Sequence, residues 1–348
     1  MSDLLPEIQQ IYKATQDLKG LARVEQILQV DSGFYRKNQP QNLPVYKISF
    51  GTERPDAPVL GLIGGVHGIE RIGSQVCVSL LNMLSELVLW DKNTQRVLEN
   101  LRVFFIPTVN PWGILHKRRS NAAGVDLMRN APVEGEDKLT WLVSGHRYTD
   151  KLPWYRGAEG SALQPESKAL IDAVNKEIKH SPVAITVDFH SGFGLQDRLW
   201  FPYAKTIKPF PGIAYMHSFK DLFEKTCPHH FYQIEPQSRN YTTHGDLWDY
   251  MYDQYSASSN QKGVYLPLCL EMGSWMWVKK NPLQLFSYEG PFNPLKSHRQ
   301  RRTLRRHNTL FEFLMRILSS PQAWAELSAE QKTKHEWRAY ETWYKEKK

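Results

Sequence analysis

The sequence predicts an α/β fold: one domain around a central mixed, mostly parallel twisted sheet, with helices on both faces. Three observations carry this. Short apolar runs bounded by turn residues, at 59–66, 102–107, 183–189 and 265–270, read as buried strands. They alternate with stretches of helical period, the pattern of a sheet covered on both sides. The chain has 348 residues, a length at which α/β enzymes often form one large domain.

In chain order, Leu5, Ile8, Ile11, Tyr12 and Leu18 form a helical stripe over 4–18, and two strand-like runs follow at 24–30 and 45–50. The run from Pro58 to Val66 is a fully buried strand entering a glycine-rich turn. Val76, Leu80, Leu84 and Leu87 place a helix over 71–89. The stretch 130–165 is rich in Gly, Pro and aromatics and has no period, as loops that build sites at strand ends often are. A helix is expected from 295 to 318. The catalytic domain is expected to span 1–320, with 321–348 a polar helical C-terminal tail carrying interspersed tryptophans.

Composition is ordinary for a soluble globular chain, with 41% hydrophobic and 23% charged residues. The longest apolar stretch is read at 59–66; it contains three glycines and falls far short of the ~20 residues of a membrane helix, so no span is expected. Met1-Ser-Asp-Leu-Leu-Pro lacks a basic start followed by an apolar run, so no secretory signal is expected. Cys77, Cys227 and Cys269 are scattered, which argues against a disulfide scaffold and fits a reducing, cytoplasmic setting. Six of the eight excess positive charges lie in 296–306. That cluster could bind phosphate, but Leu304, His307, Phe311, Leu314 and Leu318 make the same stretch a core helix with a basic outer face. No nucleic-acid partner is expected.

The chemistry gathers at strand ends. His67-Gly-Ile-Glu70 follows one buried strand and His190 ends another, where open α/β sheets bind ligands. Two histidines and a carboxylate are a common catalytic zinc set; a packed turn histidine beside a solvated glutamate is the alternative. Asn110-Pro-Trp-Gly, Arg118-Arg119-Ser-Asn and Gly124-Val-Asp-Leu-Met-Arg-Asn130 gather arginines and asparagines after a third strand. Guanidinium forks there suit a carboxylate or an oxyanion, unless they are ordinary surface arginines. Glu271, embedded in an apolar strand end, is costly to bury unless it is paired or does chemistry. Trp275 and Trp277, just after it, are candidates to line a site.

Taken in order, His67-x-x-Glu70, Asn110-Pro-x-Gly, Arg119-x-Asn121, Gly124-Val-Asp-Leu-x-Arg129-Asn130, Asp188-x-His190-Ser191 and Glu271 resemble the zinc carboxypeptidase family, the carboxypeptidase A-like metallopeptidases. The chain looks like a cytoplasmic bacterial-type member. Tyr155-x-Gly157 and Gln164-Pro-Glu-Ser also look like the family's stretch before its central helix. The resemblance implies a zinc carboxypeptidase-like fold and one zinc ion held by His67, Glu70 and His190, a ligand set that is the family's. It implies Asp126 as the carboxylate orienting His67 and Arg119 as the oxyanion stabiliser. Arg129 would bind the substrate's terminal carboxylate, and Glu271 would be the general base toward zinc-bound water. Tyr241 is the choice for the tyrosine that closes over substrate, with Tyr250 and Tyr252 as alternatives. The family's specificity residue would lie within 249–265.

The implied activity is a metallocarboxypeptidase that hydrolyses the amide next to a free terminal carboxylate. Two departures stand at the substrate end. Met128 occupies a position where the family commonly has Asn, and Ile69 precedes the ligand Glu; Arg71 or Arg118 could compensate. Desuccinylases and aspartoacylases acting on N-acyl amino acids, and murein-peptide amidases, share parts of the pattern. A small peptide or an N-acyl amino acid is therefore the expected substrate, and the pattern carries no oligomeric state.

Overall fold

In the computed structural model, residues 5–36, 39–137, 139–258 and 263–345 are described. The N-terminal start Met1–Leu4 therefore lies outside the described residues, as do the last three residues of the tail. Among the described residues the strands are β1 (Ala22–Arg36), β2 (Gln39–Gly51), β3 (Val59–Gly64), β4 (Arg102–Ile106), β5 (Val183–Ser191), β6 (Arg198–Phe201), β7 (Gln233–Pro236) and β8 (Val264–Met272). They form one sheet in the order β1-β2-β4-β3-β5-β8-β6-β7. Its centre, β4-β3-β5-β8, is parallel; β1 and β2 pair antiparallel, as do β2 with β4 and β6 with β8.

The central strands are apolar because both faces are covered: every residue of β3, β5 and β8 is buried. The helices are α1 (Pro6–Thr15), α2 (Arg71–Trp90), α3 (Lys92–Leu98), α4 (Pro111–His116), α5 (Pro165–Ile178), α6 (Ile213–Thr226), α7 (Leu247–Ala257), α8 (Trp275–Lys280), α9 (Ser297–Arg306), α10 (Asn308–Leu318) and α11 (Ala329–Ala339). α2 lies so close to β3 that a Cβ on Gly64 would stand 3.1 Å from Cys77 and Ser74, and Phe311 of α10 meets Phe105 of β4 on the same face. On the opposite face Tyr252 and Tyr255 of α7 pack on Tyr265 of β8.

Two expectations need correction. The single helix over 295–318 is two helices broken at His307, whose buried imidazole Nδ1 lies 2.8 Å from the Tyr232 hydroxyl. The long apolar element is α2, 20 residues with an 18-residue stretch of mean hydropathy 1.5, and not the run at 59–66; by length and composition it could cross a membrane. Here Val76, Leu80, Leu81 and Leu84 of α2 are part of the main hydrophobic core.

The chain beyond α10 returns to that core. Trp324 and Trp343 are 0% and 3% exposed. The Trp324 indole donates to the carbonyl of Ile317 at 3.0 Å, and Ser328 with Gln331 forms a reciprocal cap at the start of α11.

Candidate active site

The ends of β3, β5 and β8 meet at one point. His67 stands three residues past β3 and Glu70 immediately precedes α2, while His190 lies near the end of β5. The approach of these loops depends on two glycines. A Cβ on Gly68 would stand 2.0 Å from the Gly113 carbonyl carbon, and one on Gly113 would strike Asn110, whose Oδ1 accepts from the Gly113 amide at 2.8 Å. Gly68 of His-Gly-Ile-Glu thus makes room for the Asn-Pro-Trp-Gly turn, and Gly113 makes room for the Asn110 cap within that turn.

The three candidate ligand groups lie within 4.8 Å of one another and are all buried. His67 Nδ1 is 2.9 Å from Glu70 Oε1, His190 Nδ1 is 3.0 Å from Glu70 Oε2, and the two Nδ1 atoms are 3.2 Å apart. The outer nitrogens face carboxylates: His67 Nε2 meets Asp126 Oδ1 at 2.9 Å and His190 Nε2 meets Asp188 Oδ2 at 2.7 Å. With protons assigned to Nε2, both Nδ1 lone pairs and a carboxylate converge on a single point. Two imidazole nitrogens and a carboxylate oxygen suit zinc and leave a coordination position open. Burial opposes the charge on Glu70, but the two histidines hold its carboxyl well below the usual range. Asp126 is also held well below its usual range against burial, by Arg119 and His67.

Arg119 joins the network, donating from Nε to Asp126 Oδ2 at 2.8 Å and from Nη1 to Glu70 Oε1 at 2.9 Å. Glu271 lies directly beside His190 in the β5–β8 register. Its Oε1 accepts the Phe193 amide at 3.0 Å. Burial first, then the like charge of Glu70, pushes its carboxyl up to about 8. Arg129 is 3% exposed; its Nη1 donates to the Met128 carbonyl at 3.3 Å and its Nε has no partner among the described residues.

The sequence profile of the zinc carboxypeptidase family matches residues 38–274, more than half of the chain. The chain belongs to the zinc carboxypeptidase family. Carboxypeptidase SOL1 of Arabidopsis thaliana is 35% identical over 75 residues, covering 22% of this chain and 15% of that protein. Carboxypeptidase Z of Mus musculus is 28% identical over 148 residues, 39% of this chain and 22% of that one. The matched stretch is thus less than a quarter of either relative's length. Bovine thrombin-activatable fibrinolysis inhibitor, solved with tick carboxypeptidase inhibitor, shares the fold at a TM-score of 0.62 and 16% identity, over 90% of this chain and 96% of that one. Zinc is the cofactor on which the family and the His67–Glu70–His190 group agree.

In this member of the zinc carboxypeptidase family, a cleft of ≈ 380 Å³ takes in His67, Glu70, His190, Arg119, Met128, Arg129, Tyr241 and Glu271; Asp126 stands behind His67. Tyr241 packs against Phe193 and Trp200, and burial pushes its phenol up to about 12. Tyr250 and Tyr252 belong to α7 and do not line the cleft. The compensating arginines are elsewhere: Arg71 binds the buried Glu7 carboxylate through Nε at 2.6 Å and Nη2 at 3.0 Å, and Arg118 is outside the cleft. Trp275 is half exposed on α8 and Trp277 is buried away from the site, so Trp154 and Trp200 supply the indoles of the wall instead. None of the described residues in 249–265 lines the cleft, and 259–262 lie outside the described residues.

The sequence motif contains Asp188 but left it without a role. Its signal was available: Asp188-x-His190 has strand spacing, which puts both side chains on one face of β5. Asp188 Oδ2 also accepts the Trp248 indole at 3.0 Å, and that bond holds the carboxylate in place.

Proposed function

We propose that this chain is a metallocarboxypeptidase that removes the terminal residue from peptides with a free carboxylate. The observation that carries the reading is Arg129, a buried guanidinium with an unpartnered Nε, in the same cleft as the candidate metal ligands and Glu271. A buried cation with spare donor capacity is costly unless an anion completes it. In this reading it holds the terminal carboxylate and sets the register of the scissile bond. With Met128 beside it, that anion receives no side-chain amide from this position.

His67, Glu70 and His190 would hold a zinc ion, which would supply Lewis-acid polarisation and lower the pKa of a nearby water toward neutral. Asp126 and Asp188 fix the histidines with Nδ1 inward. Glu271 accepts the proton of the attacking water and delivers it to the leaving amine; the raised affinity of its carboxyl for protons suits both steps. Arg119 places positive charge beside the carbonyl oxygen as it becomes negative. Tyr241, its phenol protonated at neutral pH, closes the side of the cleft. Apart from Glu70 and Glu271 the described lining carries no acid, while Val143, Trp154 and Trp200 offer apolar surface. A large uncharged terminal side chain is therefore the preferred one.

The test is mass spectrometry of a mixed pool incubated with zinc-loaded protein, with a chelator control. The pool holds free and amidated peptides ending in Phe, Lys or Asp, N-acyl amino acids and a murein tripeptide. Chelator-sensitive loss of single residues from free C-termini only, fastest for Phe, is the expected result. Cleavage confined to the N-acyl amino acids or the murein peptide would overturn the peptidase reading. The same reading places the chain in the cytoplasm, supported by the free thiols of Cys77, Cys227 and Cys269; recovery of the native protein in a periplasmic or culture fraction would refute that placement.

A further inference from the structure

The outer wall of the cleft is held by a part of the chain that lies outside the 38–274 family match. Gln237, Asn240 and Tyr241 line the cleft from a single 3₁₀ turn and its exit, which follow directly on β7. β7 has four residues and is the edge strand of the sheet, paired only with β6 among the described strands. A short strand held on one side is a weak foundation for a binding wall.

Trp343 meets that weakness at three points. Its indole Nε1 donates to the Ile234 carbonyl of β7 at 2.8 Å. Its own carbonyl accepts Arg239 Nη1 at 2.6 Å, at the end of the 3₁₀ turn. Its ring packs edge-on against Phe201, with centroids 4.7 Å apart; Phe201 follows Trp200 of the wall. The indole is 3% exposed, so these contacts are made in the core.

We infer that the C-terminal segment Tyr340–Tyr344 braces the cleft wall, with Trp343 and Arg239 as positioning residues for Gln237, Asn240 and Tyr241. The brace acts on substrate binding and leaves the metal ligands, which stand on the β3–α2 connection and on β5, undisturbed. Its kinetic consequence rests on the peptidase reading above; its structural consequence does not.

The experiment compares wild type with Arg239→Ala, Arg239→Lys and Trp343→Phe, the last of which keeps an aromatic ring and removes the indole donor. Amide exchange over 237–241 is expected to rise about tenfold in Arg239→Ala and Trp343→Phe, with 183–191 unchanged. KM for a free-C-terminal peptide should rise about tenfold with kcat within about threefold, since small misplacements of a binding group cost on this scale or more. Zinc content should be unchanged, and Arg239→Lys should recover part of the loss. Unchanged exchange over 237–241 would overturn the brace. So would a rise of equal size over 183–191, because that would mark a loss of general stability. If wild type cleaves no free C-terminus, the peptidase reading fails while the exchange data still decide the brace.

Discussion

The floor and the wall of the cleft are built by different means. The floor stands on β3, β5 and β8, where strand register, a three-residue spacing and a two-residue spacing bring His67, Glu70, Asp188, His190 and Glu271 together. The histidine nitrogens and the Glu70 carboxylate are met by other charged groups and Glu271 Oε1 by a backbone amide, and each residue is 8% exposed or less. The wall is made mostly of loops, with Trp200 supplied by the short strand β6. Trp154 and nearby Leu142 adopt left-handed backbone, at φ 66 and 63. Trp200 and Tyr241 are held by ring packing, and the 237–241 turn leans on residues a hundred positions away. Metal and proton chemistry tolerates little displacement, so it sits on rigid strands with its second partners in place; recognition of a side chain can be entrusted to replaceable surfaces.

That contrast can be broken most directly at the floor. Removal of metal by a chelator should take peptidase activity to background, and zinc should restore it. Activity that survives with no bound metal, as measured by elemental analysis, would separate the floor from the chemistry. Glu271→Gln should lower kcat by about 10²–10⁴-fold, the range for a positioned acid–base group, with zinc stoichiometry kept. Near-normal turnover would remove Glu271 from the role of base.

Two further substitutions distinguish support from contact. Asp188→Asn should weaken zinc binding about 10–100-fold, as lost outer partners of metal-bound histidines typically do; competition with a chromophoric chelator reads this out. Arg129→Ala should raise KM for peptides about 10–100-fold, equivalent to losing one hydrogen bond to a charged group at about 1.5–3 kcal/mol. Zinc affinity should not move. If zinc binding and peptide binding weaken together in Arg129→Ala, the division into floor and wall is wrong.

The smallest expected effect concerns pH and the wall's support. His217 of α6 and His335 of α11 face each other with Nδ1 atoms 2.9 Å apart. Burial, then His335, lowers His217 from 6.5 to about 4, and burial lowers His335 as well. Lys220, Lys225, Lys334 and Arg338 oppose protonation and Asp221 favours it. A histidine whose folded pKa is depressed costs nothing above pH 6.5, where both states are neutral. It destabilises the folded form as pH falls from 6.5 toward 4, because the unfolded chain takes up the proton first. Amide exchange over 329–345 should therefore quicken between pH 6.5 and 4.5 before exchange over 183–191 does. Simultaneous loosening would mean that the C-terminal segment and the floor unfold as one unit.

Much of this was legible in the residues themselves. The strands β3, β4, β5 and β8 announce themselves as unbroken apolar runs, because a strand covered on both faces has no polar side to alternate with. His67-x-x-Glu70 and Asp188-x-His190 carry half of the metal site each within a few residues. Local period also produced errors of a predictable kind. β6 and β7 have four residues each and are too short to show a pattern. The break at His307 is invisible because both flanking helices continue the same stripe.

By itself the sequence determined which strands are central, which residues could ligate a metal and which glutamate is buried at a strand end, since these depend on neighbours within one turn or one strand. Tertiary structure alone decided that His190 meets His67 across 123 residues, that Trp154 and Trp200 and not Trp275 form the wall, and that Trp343 supports Arg239 from 104 residues away. The physical reason is that hydrophobic burial is non-directional. Periodicity can say that a tryptophan will be covered; only the assembled sheet and its connections determine by what.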